Sequence, residues 1–89
     1  MIAYSIRVHG LVQGVFFRKS TREKALEFGI NGYVRNCEDG TVEIFVEGDE
    51  KLINQFIEWC RKGPKGAKVD KVDIHGQPLK NISGFVITR

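Results

Sequence analysis

Cysteines, low-complexity segments and long apolar runs are scarce in this chain of 89 residues. Its two cysteines, Cys37 and Cys60, fit neither a CxxC motif nor the ligand spacing of a zinc site. A small secreted domain held by disulfides would carry more, so we expect two reduced thiols, Cys60 in the core and Cys37 near a turn. No apolar run approaches the ~18 residues of a membrane span, and we expect no membrane partner. The opening stretch MIAYSIRVHG lacks the apolar block of a secretory signal, so we expect a cytoplasmic protein.

A strong excess of one charge is also missing. The 14 Lys and Arg against 11 Asp and Glu give a net charge of +3, which suits an anionic small molecule but does not by itself indicate nucleic acid. The two histidines, His9 and His75, are too few for a histidine-based ligand cluster. Apolar residues at 42% and charged residues at 28% are ordinary for a globular protein. We expect one domain, residues 1–89, and a monomer as the default.

Apolar periodicity predicts alternating strands and helices. The stretch MIAYSIRVHG alternates as a half-buried strand does, and FRKSTREKALEF, residues 17–28, places its apolar side chains on one helical stripe that Gly29 ends. Two strands, GYVRNC and TVEIFVEG, flank an Asp-Gly turn signal. A second helix follows the N-cap Asp49, and an edge strand, AKVDKVDIHG, and a short last strand, GFVIT, complete the pattern.

This order of elements predicts an α+β fold of the ferredoxin-like type. It is the split βαβ sandwich, an antiparallel sheet with two helices on one face, here with a short additional strand at the end. In this topology the first and second strands run parallel with the third between them. The loop after the first strand and the end of the second therefore emerge at one sheet edge, ~10 Å apart. Because Arg18 and Asn36 lie at these two places, their side chains can converge on one small ligand.

The loop itself, GLVQGVFFRKS from Gly10 to Ser20, has the features of an anion site. Glycine permits positive φ and close approach of a ligand, and successive N–H groups in such a turn form a concave nest. The helix behind it adds a positive dipole end, and the planar fork of Arg18 matches phosphate oxygens. The stretch is neither a P-loop nor a dinucleotide-binding motif, and Gly-rich junctions before helices are common. It predicts a phosphate-sized site without proving one.

Three motifs together are similar to one known family. The stretches GLVQGVFFR, GYVRNCEDGTVE and EGDEKLINQFIEWCRKGPKGAKVDKV resemble the acylphosphatase family over nearly the whole chain. The resemblance implies a small hydrolase that splits the carboxyl–phosphate anhydride of acyl phosphates, such as 1,3-bisphosphoglycerate and carbamoyl phosphate, into a carboxylate and inorganic phosphate. It implies no metal and no organic cofactor. Tyr33 stands where many members carry a tryptophan, a small departure between two large aromatics.

The resemblance also implies the residues of the site. Arg18 corresponds to the family's phosphate-binding arginine, and Asn36 to the asparagine that positions the attacking water for in-line attack. The phosphate cradle is the backbone of the loop, with Gly14 and Val15 at closest approach. Its members are Gln13, Gly14, Val15, Phe16, Phe17 and Arg18.

Neighbouring polar residues have weaker claims. The side chains of Lys19, Arg22 and Lys24 are typical of a solvated helix face, although Arg22 could enrich anions nearby. Strand alternation points Arg35 away from Asn36.

Two alternatives stay open. RNA-binding RRM domains share the split βαβ order, but here Glu43 and Glu47 share a face with Phe45, and carboxylates there would repel phosphates. The second alternative is a non-catalytic anion-binding module, because acylphosphatase-like domains also occur inside larger proteins. Hydrolysis of an acyl phosphate without added metal separates that module from an enzyme.

Overall fold

The computed structural model describes residues 1–88. Its sheet has the strand order β4-β1-β3-β2-β5, and the two helices pack together against one face. The four strands of the split pattern are antiparallel neighbours, whereas β5 runs parallel to β2 and makes the sheet mixed. The predicted ferredoxin-like fold is confirmed. The elements are β1 (Ile2–Leu11), α1 (Phe17–Phe28), β2 (Asn31–Asn36), β3 (Val42–Gly48), α2 (Glu50–Lys62), β4 (Lys68–Gly76) and β5 (Phe85–Ile87).

Both helices end where the sequence predicts. The α1 helix buries Phe17, Thr21 and Ala25, and it stops at Gly29, whose φ of 71° places it in the left-handed region that favours glycine. The α2 helix begins after Asp49, whose side chain accepts a hydrogen bond from the N–H of a first-turn residue. Within residues 1–88, these helices of 12 and 13 residues are too short and too polar to cross a membrane.

The core lies between the helices and the inner face of the sheet. Ile6, Val34 and Ile44 project from neighbouring strands onto the helices and are fully buried. Because side chains alternate along a strand, Asn36 lies on the same inner face as Val34, and Arg35 lies on the opposite face. Arg35 donates from Nε to Glu43 at 2.6 Å there, which confirms that it points away from Asn36.

The pairing of β3 fixes the sheet edge where the loop emerges. Val42 pairs with Val8 of β1 on one side and with Asn36 of β2 on the other. The carboxyl ends of β1 and β2 therefore lie at the same edge, as the topology predicts. Gly10 is required for a structural reason, since a Cβ there, at φ 128°, would come within 2.1 Å of the Lys68 carbonyl oxygen on β4. The first glycine of the loop thus serves strand packing.

The outer face of the sheet carries a buried carboxylate. The alternation correctly places Glu47 beside Glu43 and Phe45, but Glu47 is 1% exposed rather than available to repel a ligand. Its oxygens accept hydrogen bonds from the backbone N–H groups of Lys80 at 2.9 Å, Asn81 at 3.2 Å and Ile82. Desolvation raises the pKa of this carboxyl, but these N–H groups and the nearby Lys80 ammonium outweigh it and hold the pKa below its usual range.

Aromatic rings on the outer face are covered as well. Phe45 is 1% exposed, and its ring stacks on Tyr33 with the centroids 5.6 Å apart. The Lys80 ammonium lies 4.5 Å from the Phe45 centroid. A base stacks only on an exposed ring, so this strand lacks the platform that an RRM domain uses.

The two cysteines are free thiols in different surroundings. Cys60 is buried on α2, and burial raises the pKa of its thiol. Cys37 is half-buried at the end of β2, next to the turn, as the sequence predicts. Neither forms a disulfide.

Replacing Glu47 with glutamine tests the buried carboxylate. A lowered folded-state pKa means that the charged form stabilises the fold above the ordinary glutamate pKa of ~4.3, and that this contribution is lost as pH falls through the folded-state pKa. We expect Glu47→Gln to lower the free energy of unfolding by about 1.5–3 kcal/mol at pH 7 and by less at pH 3, measured by urea titration. Glu23→Gln, at an exposed α1 position, is the matched control. Equal losses for both variants would contradict the role of Glu47.

Candidate active site

The loop between β1 and α1 turns through two left-handed residues. Gly14 has φ 75°, and nothing lies within 4 Å of the position where its Cβ would be. Phe16 has φ 60° and ψ 24° although it is not glycine. Left-handed residues interspersed in a turn bring successive N–H groups onto one side, which is the geometry of an anion-binding nest. The space above the second loop glycine is open, in contrast to the space at Gly10.

The backbone donors of this loop lack partners. Among residues 1–88, no acceptor is hydrogen-bonded to the N–H groups of residues 14–19, and the first donor of the helix is Ser20, which bonds the Phe16 carbonyl oxygen at 3.0 Å. Phe16 supplies no side-chain cap, and the first turn of α1 has no acidic residue. The positive end of the helix and its N–H groups are therefore available to an anion.

A cleft of about 330 Å³ opens over this loop. It lies between the start of α1, the end of β2 and the last strand. Arg18 and Asn36, predicted from positions 18 residues apart in sequence, both line it. Its lining consists of Val12, Gly14, Phe16, Phe17, Arg18, Lys19, Asn36 and Ile87.

Asn36 presents a buried acceptor to this cleft. Its Oδ1 atom is inaccessible to solvent and has no hydrogen-bond partner among the residues that the structure describes. A buried carbonyl oxygen without a donor costs about 1–3 kcal/mol, and such groups are rare in folded proteins. A water in the cleft cannot contact a solvent-inaccessible atom, so Asn36 can orient a water there only after its side-chain amide turns toward the cleft.

Two cations line the cleft without a carboxylate. In residues 1–88, no Asp or Glu oxygen lies within 4.0 Å of the charged groups of Arg18 or Lys19, although Arg7, Lys24, Arg35, Arg61 and Lys71 each pair with at least one carboxylate. Arg18 is half-buried in the first turn of α1. Their charge is therefore available to a bound anion rather than neutralised by the protein.

Gln13 connects the loop to the turn between β2 and β3. Its Nε2 group donates hydrogen bonds to the carbonyl oxygens of Cys37 at 2.8 Å and Thr41 at 2.9 Å, at the two ends of the β2–β3 turn. Val15 packs its side chain against the core. Of the six predicted loop residues, Gln13 and Val15 thus do not line the cleft, and Gly14, Phe16, Phe17 and Arg18 do.

Sequence reasoning missed Lys19, Val12 and Ile87 as cleft residues. Lys19 was predicted on a solvated face, but its place beside Arg18 in the first helical turn is a local signal that points to the cleft. Ile87 had no such signal. It lines the cleft because β5 pairs in parallel with β2, where the Thr88 N–H bonds the Val34 carbonyl oxygen at 2.8 Å.

The remaining candidates lie elsewhere. Arg22 donates from Nε to the Phe85 carbonyl oxygen at 3.1 Å and so ties β5 to α1. The His9 Nε2 atom is 2.9 Å from an Asp73 oxygen outside the cleft, and this hydrogen bond lowers the pKa of Asp73. Over residues 1–88, no three His, Cys, Asp or Glu side chains come together as ligands for a metal ion.

Comparisons with known proteins agree on one family. A family model described as Acylphosphatase matches residues 4–87. The acylphosphatase of Pseudomonas paraeruginosa (strain DSM 24068 / PA7) is 45% identical over 82 residues, which cover 92% of this chain and 90% of that relative. The crystal structure of acylphosphatase from Bacillus subtilis matches with a TM-score of 0.97 and 34% identity over 100% of both chains.

A larger protein contains a similar unit. Full-length HypF, in its phosphate- and nucleotide-bound form, matches with a TM-score of 0.89 and 28% identity. The match covers 99% of this chain but 12% of that one. The same fold therefore occurs both alone and within a longer chain.

Substitutions of Gln13 test its contacts with the turn. Gln13→Met keeps the length but removes the donor, and we expect it to lower the free energy of unfolding by about 1–3 kcal/mol. Gln13→Glu places a carboxylate, which only accepts, against two carbonyl oxygens, so we expect a larger loss at pH 7. Folding then favours the protonated form, which raises the folded-state pKa, and part of the loss should be regained toward pH 4. Exposed Gln55→Met is the control; wild-type stability of Gln13→Glu at pH 7 would refute the contacts.

Proposed function

This chain belongs to the acylphosphatase family, and we propose that the cleft over its loop is the active site. Its activity is that of an acylphosphate phosphohydrolase, which splits the carboxyl–phosphate anhydride into a carboxylate and inorganic phosphate. The observation that carries the assignment is that Arg18 and Asn36 line one cleft over a loop with unpaired backbone N–H groups.

The phosphoryl group binds in the loop. Its equatorial oxygens accept hydrogen bonds from the unpaired backbone N–H groups of the loop and of the first turn of α1. The guanidinium of Arg18 adds a bidentate, charge-assisted contact. Because these donors are fixed before the substrate arrives, they stabilise the charge that spreads over the phosphoryl oxygens without reorganising.

Asn36 directs the attacking water. Once the side-chain amide turns toward the cleft, Oδ1 accepts one O–H of the water and so aims an oxygen lone pair at phosphorus, in line with the leaving group. An amide is too weak a base to deprotonate this water, so Asn36 positions the nucleophile rather than activating it. A phosphate oxygen of the substrate then takes the proton as the new bond forms.

The leaving group needs little help. Breaking the P–O bond releases a carboxylate, which is stable without protonation near neutral pH. The cleft can therefore perform the reaction by holding the phosphoryl group and aiming the water, with no general acid. Neither a metal ion nor an organic cofactor is required by this chemistry.

The setting of the enzyme follows from the same proposal. Residues 1–89 act as a single domain and as a monomer in the cytoplasm, on small acyl phosphates. The covered Phe45 and the buried Glu47 on the outer face support the absence of a nucleic-acid partner. The match over 100% of both chains to the Bacillus subtilis acylphosphatase supports a single domain over these residues.

Hydrolysis of benzoyl phosphate in a metal-chelating buffer tests the proposal as a whole. We expect turnover with competitive inhibition by inorganic phosphate, because the same donors hold the substrate and the product. Binding of phosphate without any turnover would instead identify a non-catalytic anion-binding module.

Arg18→Ala should remove most of the affinity of the cleft for phosphate. Loss of one such preorganised donor lowers kcat by about 10²–10³-fold, and we expect inorganic phosphate to stop competing. Steady-state kinetics with benzoyl phosphate measure both effects. Lys24→Ala removes a positive charge from α1 outside the cleft, so it should change neither kcat nor the inhibition by phosphate. Normal phosphate inhibition in Arg18→Ala would exclude Arg18 from the binding site.

Asn36→Ala should separate turnover from binding. We expect kcat to fall by about 10²-fold or more while the Ki for phosphate changes little, because the amide contacts the water and not the phosphoryl group. The free energy of unfolding should not fall, since the variant removes a buried acceptor that has no partner. Exposed Asn54→Ala is the control. A wild-type kcat would rule out this role for Asn36.

A further inference from the structure

Phe16 is an exposed aromatic residue in the cleft wall. Its side chain is 79% exposed, far more than the buried Val12 and Phe17 on the cleft floor. Ile87, 42% exposed, lines the same cleft. Half of the eight lining residues therefore present apolar side chains, two of them open to solvent. The phosphoryl donors are the backbone N–H groups of residues 14–19 and the Arg18 guanidinium, so Phe16 offers its side chain, and not its backbone, to the rest of a ligand.

A phenylalanine is unfavourable at this position on local grounds. Phe16 has left-handed φ and ψ of 60° and 24°, which bulky residues rarely adopt. It also occupies the N-cap position of α1, where Asn, Asp, Ser or Gly would serve the helix better. An exposed aromatic ring gains nothing from burial in the unliganded protein. Strain of this kind concentrates at functional sites, so a ligand contact is the expected compensation.

The cleft has room for more than a phosphoryl group. Its volume of about 330 Å³ falls at the low end of the ~300–1,000 Å³ typical of small-molecule sites. With the phosphoryl group in the loop, the acyl group must extend along the remaining wall. That wall includes the exposed faces of Phe16 and Ile87.

We infer that Phe16, with Ile87 beside it, is a specificity-determining residue that contacts the acyl group, and that the cleft favours acyl phosphates with an aromatic or bulky apolar acyl group. This inference rests on the proposed function, because it takes the loop as the phosphoryl site. Lys19 also lines the cleft and would instead favour an anionic acyl group. We prefer an apolar acyl group because two exposed apolar side chains, Phe16 and Ile87, line the cleft, whereas Lys19 is the one lining cation besides Arg18.

Phe16→Gly provides the test. Glycine adopts left-handed φ without steric cost and carries no side chain that could occupy the N–H groups of the loop, so the variant should fold and keep the phosphoryl donors free. We expect the ratio of kcat/KM for benzoyl phosphate to that for acetyl phosphate to fall about three- to tenfold, the size of one aromatic contact. Phe16→Tyr should restore the ratio. Leu26→Gln, which removes an exposed apolar side chain from α1 outside the cleft, should leave it unchanged.

Binding without turnover separates this inference from the proposed function. Benzoylphosphonate and acetylphosphonate cannot be hydrolysed, and their Kd values can be measured by calorimetry. We expect Phe16→Gly to weaken benzoylphosphonate about three- to tenfold more than acetylphosphonate. If the wild-type protein bound both phosphonates but hydrolysed neither acyl phosphate, the proposed enzymatic activity would be refuted. The Kd values would still test whether Phe16 contacts the acyl group.

Two results would overturn the inference. One is an unchanged ratio, or an equal loss for both substrates, since either would show that Phe16 acts on the loop and not on the acyl group. The other is a preference of the wild type for succinyl phosphate over benzoyl phosphate that Lys19→Gln abolishes. That result would assign acyl recognition to the cation.

Discussion

The two hydrogen bonds from Gln13 to the carbonyl oxygens of Cys37 and Thr41 fix the geometry on which the cleft depends. Strand β3 lies between β1 and β2, so the loop and Asn36 are separated by about two strand spacings, ~10 Å. The covalent chain does not connect them across that gap. One amide group does so by holding the loop against both ends of the β2–β3 turn. The positions of the backbone donors relative to Asn36 follow from this contact.

Polar groups are satisfied in one part of the protein and left unsatisfied in another. The buried carboxylate of Glu47 accepts three backbone N–H groups and anchors the segment before β5 to the sheet. Asn36 also carries a buried oxygen, yet it has no partner in the described residues. The unpaired N–H groups of residues 14–19 and the left-handed Phe16 lie around the same cleft. Since the buried oxygen and the strained backbone each lower stability, their common location supports a ligand, and not the fold, as the reason for them.

The sequence predicts most of the fold and part of the site because different forces determine each. Periodicity and end signals such as Gly29 and Asp49 are local, so both helices were predicted with their ends. Strand alternation also predicted that Arg35 and Asn36 face opposite ways. Ile87 lines the cleft only because a three-residue strand pairs in parallel with β2. Gln13 holds the loop through a hydrogen bond to a residue 28 positions away in sequence. The burial of Glu47 depends on a loop that folds back over the sheet. None of these tertiary contacts leaves a periodic signal.

The distribution of charge, rather than its total, explains how a weakly basic protein can attract a dianion. A net charge of +3 spread over 89 residues produces little field at any one point. On the outer face, Arg7 and Arg35 both pair with Glu43, at 3.5 Å and 2.6 Å, and Arg7 also pairs with Asp39 at 3.3 Å. The cations that line the cleft have no such partner in residues 1–88, and the helix end beside them adds its own positive potential. Because the cleft walls exclude part of the solvent, this potential is screened less than it would be on an open surface. The unpaired charges of Arg18 and Lys19 therefore act together with the helix end at the place where an acyl phosphate would bind.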